Sequence, residues 1–254
     1  MKNIEFSDIE ITGGYWKTKQ EINSRATLMS VYGRFKETHR FDALRCEQKE
    51  GDTYLPHIFW DSDVAKWLEG AAYILNFKDD ETVTAIIENA IDCIIENSDE
   101  NGYFNSHFLV TEQNNRFRNR SCHELYCAGH LIEAAVAYYE ITGKDRFLKA
   151  MCKFADYIER VFRIEKSAAF TTPGHPELEL ALMRLYKATG EKRYIELAKY
   201  FIDERGKQPC YFEGEIKKYG NVYPWADSYF QFNYYQAGAP VREMKDAVGH
   251  AVRA

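Results

Sequence analysis

Three short polar clusters stand just ahead of apolar helical stripes: Trp60-Asp-Ser-Asp63, Cys122-His-Glu124 and Gly174-His-Pro-Glu177. A helix start offers unsatisfied N–H groups and the positive end of the helix dipole, both suited to ligand oxygens. Asp61, Asp63, His123 and His175 are therefore candidate ligand-binding side chains. Capping competes with that reading: Asp61, Ser62 or Asp63 would serve as N-caps, and Pro176 suits a first helical turn. His123 and His175 are poor caps, which favours a ligand role for them.

A second grouping lies along one helix face, where His123, Cys127 and His130 fall at i, i+4 and i+7. Imidazole and thiolate are zinc ligands. The residue four after His123 is Cys127, so the metalloprotease pattern H-E-x-x-H is not met. Three ligands on one helix seldom close a tetrahedron, and no metal is expected in this chain. Glu124, Glu177 and Glu179 qualify as acids or bases by position only, without a matched carboxylate pair. G-x-S-x-G, the P-loop and G-x-G-x-x-G are all absent from the sequence, which leaves serine-hydrolase, nucleotidase and dinucleotide readings unsupported.

The elements that must position these residues are helical hairpins. Apolar spacings of three and four predict paired helices over 60–77 and 82–97, 123–142 and 146–162, and 175–189 and 193–204, with an earlier helix over 21–38. The hairpins repeat: Ala137-Tyr-Tyr-Glu-Ile-Thr-Gly-Lys-Asp-Arg-Phe147 matches Arg184-Leu-Tyr-Lys-Ala-Thr-Gly-Glu-Lys-Arg-Tyr194 at an offset of 47. A second match, residues 72–80 against 137–145, has an offset of 65. Gly143 and Gly190 stand where left-handed helix C-caps are expected. Such repetition indicates a toroid of helix pairs whose alternate helices are equivalent, so the three polar starts should share one end of a central cavity.

Three stretches interrupt the pattern. Residues 4–11 look strand-like. Residues 98–122 open with the turn Asp99-Glu-Asn-Gly102 and are expected to make a short β excursion. Residues 205–240 form a long aromatic and polar loop, of the kind that often lids a site and whose rings suit sugar stacking or simple anchoring. A last helix begins near Val241 and runs to Ala254 without a stop signal, which suggests a chain cut within a helix.

Composition narrows the class. The 254 residues carry 33 Lys+Arg against 39 Asp+Glu, a net charge of −6, and no basic block, against nucleic-acid binding. No apolar run approaches the roughly 18 residues of a membrane span, and residues 1–11 do not resemble a secretory signal. The six cysteines form no C-x-x-C pair, so reduced thiols in a cytoplasm are the expectation. Tyr, Phe and Trp make up 15% of the chain, read first as core filling and second as sugar-stacking surface.

Five segments carry a resemblance: Trp60–Glu69, His123–Ala134, Thr172–Ala181, Pro240-Val-Arg-Glu243 and Ala247-Val-Gly-His-Ala-Val-Arg-Ala254. Together, from about Asp8 to the last residue, they resemble glycoside hydrolase family 127, the β-L-arabinofuranosidases. The resemblance implies an all-α, (α/α)6-type barrel followed by β-domains. It also implies a retaining mechanism with a cysteine thiolate nucleophile, a zinc ion held by cysteines and a glutamate, and a separate glutamate acid/base. Those catalytic groups belong to the later barrel and have no matching positions here; Cys122, Cys127 and Cys210 are not substitutes. The chain is expected to be the N-terminal portion, 1–254, of one barrel domain, with about eight of twelve helices and short β excursions in loops. Sugar binding is what carries over: His123, His175 and His250 occupy sugar-contacting motif positions, and Asp61 and Asp63 match the Asp-Ser-Asp motif lining the cavity. Gly238 replaces the histidine usual two residues before the Pro-Val-Arg motif, which bears on the exact substrate.

The implied function is release of β-L-arabinofuranose from arabinofuranosides, with this chain alone inactive, zinc belonging to the full-length family only, and neither nucleic acid nor membrane as partner. The alternative is a truncated, non-catalytic helical protein that binds sugar or pairs with itself or a complementary fragment. Another (α/α) barrel, such as a sugar epimerase, shares the helix pattern but not the five motifs.

Overall fold

The computed structural model describes residue 4 and residues 6–207. The first helical run is continuous: α1 (Gly14–Ile22) passes through a π-helical turn (Asn23–Thr27) into α2 (Leu28–Glu37), followed by the short α3 (Arg40–Ala43). Three hairpins follow: α4 (Trp60–Leu75) with α5 (Glu81–Asn97), α7 (Glu124–Thr142) with α8 (Arg146–Glu159), and α9 (Glu177–Thr189) with α10 (Lys192–Gly206). The short α6 (Ser106–Val110) lies between the first two.

α4, α7 and α9 pack side by side as an inner row, and α5, α8 and α10 cover them from outside. The sequence explains the layering. α5 buries one stripe, Val83, Ile87, Ala90, Ile91 and Ile94, as an outer helix must. α7 is buried nearly all round from Glu124 to Tyr138, the signature of a central helix. Its small residues allow close approach: a Cβ on Gly129 would stand 3.0 Å from both Glu177 Cγ and the Leu178 backbone nitrogen. Much of the aromatic content is core, with Tyr103, Tyr138, Tyr194, Phe147, Phe154 and Phe201 fully buried.

The repeated turns are built alike. Gly143 (φ 72°) and Gly190 (φ 76°) close α7 and α9 in the left-handed conformation, donating to Tyr139 O and Tyr186 O at 2.8 and 2.7 Å. In each turn a threonine, Thr142 or Thr189, accepts the backbone N–H two residues on at 3.2 Å.

Both expected β segments are corrected: among the described residues there is no strand. Residues 6–8 form a 3-10 turn whose Phe6 ring lies 4.7 Å from Tyr73, and no second strand is present to supply ladder hydrogen bonds. The Asp99–Gly102 turn forms, with Gly102 N donating to Asp99 O at 2.9 Å and Gly102 at φ 81°. Beyond it Tyr103, Phe104, Asn105 and Ser106 are all buried, without the alternation of a half-exposed strand. Asn105 instead caps α6, accepting Phe108 N–H at 3.2 Å. The predicted helix after Val241, most of the aromatic loop, Cys210 and Gly238 lie outside the described residues. No described helix is long and apolar enough to cross a membrane.

Candidate functional site

The inner-row helices bring two of the three polar starts into contact. The His123 and His175 rings lie 5.3 Å apart, and Tyr126, one turn into α7, packs against both at 5.5 and 5.0 Å. Phe59, which precedes α4, flanks His123 at 6.0 Å. A small cleft is lined here by Arg120, Ser121, His123, Tyr126, Gly174 and His175. His123 stands at the N-cap of α7 in the left-handed conformation, φ 60°, without capping through its side chain. Such a backbone is uncommon for a residue with a side chain and is held by its surroundings. Its Nδ1 bonds the Ser121 carbonyl at 2.6 Å, which orients the ring. Burial, with the positive neighbours His57 and Lys66, outweighs that bond and lowers His123 to about 4, so the ring is neutral near pH 7. A neutral imidazole carries one donor and one acceptor nitrogen. Lys66 of α4 donates to the Tyr126 hydroxyl at 2.8 Å and so links α4 to this cluster.

The two aspartates are engaged elsewhere, and neither caps α4. Phe59 takes the N-cap position without a side-chain bond. Asp61 is buried and accepts from Ser106 N at 2.8 Å and Ser106 Oγ at 2.6 Å, clasping the start of α6. Burial raises its carboxyl to about 6, although the Ser106 bonds pull the other way. Asp63 accepts from Arg40 Nε at 2.8 Å. Pro176 falls one residue ahead of the first helical turn of α9. His250 lies outside the described residues.

The His123–Cys127–His130 face does not converge. Cys127 donates from Sγ to Ile58 O at 3.5 Å, and burial holds its thiol far above the usual range. Burial likewise pushes Cys46 up to about 12. His130 turns toward Glu133 and Glu177 instead, with Nδ1 at 3.5 and 3.3 Å from their carboxylates. That trio was missed in the sequence; only the His-x-x-Glu spacing of His130 and Glu133 was visible there. Among the described residues it is the one group of three His, Cys, Asp or Glu donors close enough to share an ion, and it contains no cysteine. The described residues thus do not fit a zinc centre of cysteines and a glutamate.

Of the positional carboxylates, Glu124 accepts from Tyr103 Oη and Phe117 N, each at 2.7 Å, and so ties the 99–122 segment to α7. Burial raises it to about 8. Glu179 pairs with Arg205 at 3.3 Å. Deeper along the inner row, Arg184 of α9 reaches Glu69 of α4 at 2.7 Å and Glu133 of α7 at 3.3 Å, joining all three helices.

An inner row of helices α4, α7 and α9, covered from outside by α5, α8 and α10, defines the class as an all-helical fold of repeated hairpins. Comparison with known proteins resolves the class further. Residues 8–254 match the model of the GH127 catalytic domain of β-L-arabinofuranosidases, and the chain belongs to that family. It is 38% identical over 208 residues to a non-reducing end β-L-arabinofuranosidase of Bifidobacterium longum subsp. longum, covering 80% of this chain and 32% of that protein. The structure of a GH127 β-L-arabinofuranosidase from Geobacillus stearothermophilus T6 superposes with a TM-score of 0.81 at 36% identity, covering 96% of this chain and 41% of that one. A second GH127 β-arabinofuranosidase structure gives 0.72 at 29% identity, covering 79% and 33%. The chain thus spans about a third of the curated relative's length.

Proposed function

We propose that this chain supplies the sugar-contacting part of a retaining glycoside hydrolase that releases β-L-arabinofuranose, and that the 254 residues alone do not turn over substrate. The observation that carries the reading is the 5.3 Å approach of His123 and His175 at the shared end of α7 and α9. These two rings, with His250, would contact the furanose hydroxyls, His123 as a neutral group fixed through Ser121. Asp61 and Asp63 would act one step back: Asp61 holds α6, and Asp63 holds Arg40. The nucleophile and acid/base that the family uses have no matching positions in this chain. The described thiols for which burial raises the pKa, Cys46 and Cys127 among them, are poor nucleophiles.

The test is hydrolysis of an aryl β-L-arabinofuranoside by the 254-residue chain and by the complete reading frame that encodes it. Turnover by the complete frame with none by the chain supports the proposal. Robust turnover by the chain, or a frame active only on other glycosides, overturns it. A non-catalytic helical protein that pairs through its inner faces is the competing outcome, recognised by a complete frame that is inactive on every arabinofuranoside.

A further inference from the structure

The inner row holds a group of donors outside the sugar contacts proposed above. His130 and Glu133 sit three residues apart on α7, and Glu177 opens α9 beside them; one donor atom from each lies within 4.8 Å of the others. All three are buried, with His130 9%, Glu133 5% and Glu177 0% exposed. Among the described residues, neither ring nitrogen of His130 meets a partner in hydrogen-bond geometry. Its Nδ1 stands 3.3 Å from Glu177 Oε1 and 3.5 Å from Glu133 Oε2. A tetrahedral ion with bonds of about 2.1 Å sets its ligand atoms roughly 3.4 Å apart, so both separations match the edges of such a shell.

The neighbouring contacts leave the right atoms facing one another. Arg184 contacts Glu133 through Oε1, so Oε2 is turned toward His130.

We propose that His130, Glu133 and Glu177 bind one divalent transition-metal ion of borderline softness, Zn2+ being the type, which staples α7 to α9. One imidazole with two carboxylates suits such an ion better than a hard Mg2+ or Ca2+ shell, and three protein donors leave a fourth position for solvent. The site contains no thiolate, which distinguishes it from the cysteine-based centre implied for the family.

The experiment uses the metal-stripped 254-residue chain, titrated with Zn2+ by calorimetry and with Co2+ by absorption and X-ray absorption spectroscopy. The expected first equivalent gives visible Co2+ bands without a thiolate charge-transfer band, and one imidazole among nitrogen and oxygen neighbours. It also raises the melting temperature, as any ligand selective for the folded state does. His130→Gln should weaken Zn2+ binding by at least roughly tenfold, taking the loss of a supporting contact as the lower bound. No stoichiometric binding, a thiolate band in the first equivalent, or undiminished affinity in H130Q overturns the proposal. If H130Q does not fold, the cobalt spectrum of the unmodified chain decides: absence of imidazole scattering refutes the site. Binding confined to proton uptake, with no metal taken up, refutes it equally.

Discussion

Glu124→Gln should stabilise the chain at neutral pH, against the usual cost of changing a buried, doubly bonded side chain. Glu124 is 2% exposed and accepts from Tyr103 Oη and Phe117 N. Burial raises its carboxyl from the ordinary 4.5 to about 8, against the two hydrogen bonds and Arg116, which favour the charged form. Between those values the folded chain keeps a proton that the unfolded chain has released. Stability from this group is therefore full below pH 4.5 and declines as pH rises, by about 1.4 kcal/mol per pH unit and about 5 kcal/mol by pH 8. Glutamine reproduces the protonated acid: its oxygen accepts Phe117 N–H, and its amide donates to the Tyr103 oxygen once that hydroxyl turns. E124Q should match the parent near pH 4.5 and exceed it by roughly 3 kcal/mol at pH 7. Urea unfolding followed by circular dichroism at pH 5, 7 and 8.5 measures the difference. Parallel stability curves, or a variant less stable than the parent at pH 7, would refute the reasoning.

Other consequences follow from the same packing. Gly129→Ala gains about 1 kcal/mol of helix propensity but forces a Cβ to within 3.0 Å of the Leu178 backbone, so a net loss of about 1–2 kcal/mol is expected in urea unfolding. Arg184→Met leaves Glu69 and Glu133 without their shared cation and should cost about 3–5 kcal/mol, read as a lowered melting temperature that recovers partly at low pH. His123, lowered to about 4, contributes stability that is full above pH 6.5 and lost as pH falls toward 4; His123→Ala should flatten that acid limb of the stability profile.

Much of the fold was legible because its signals are local. The apolar periods of α4, α5, α7 and α8 gave their extents to within a few residues, and the Thr-Gly pairs at 142–143 and 189–190 marked two equivalent turns. The strand-like reading of residues 98–122 failed because buried Tyr103 and Phe104 look like strand residues until the long-range bonds from Ser106 to Asp61 and from Tyr103 to Glu124 are seen. Those bonds also explain why Asp61 is not a cap. The neighbouring of His123 and His175 followed from the repeat, since equivalent helices put equivalent starts together. The His130–Glu133–Glu177 group did not, because Glu177 comes from another hairpin and reaches His130 only through the close α7–α9 approach at Gly129.

The central claim is that His123 and His175 form one face of an arabinofuranose site. Titration of the isotope-labelled chain with methyl β-L-arabinofuranoside, followed through its histidine ring resonances, tests it most directly. The account predicts that the His123 and His175 signals move together and saturably, that methyl xylopyranoside leaves them in place, and that His175→Ala abolishes the His123 response. A furanoside that shifts neither ring, or a pyranoside that shifts both equally, would contradict it.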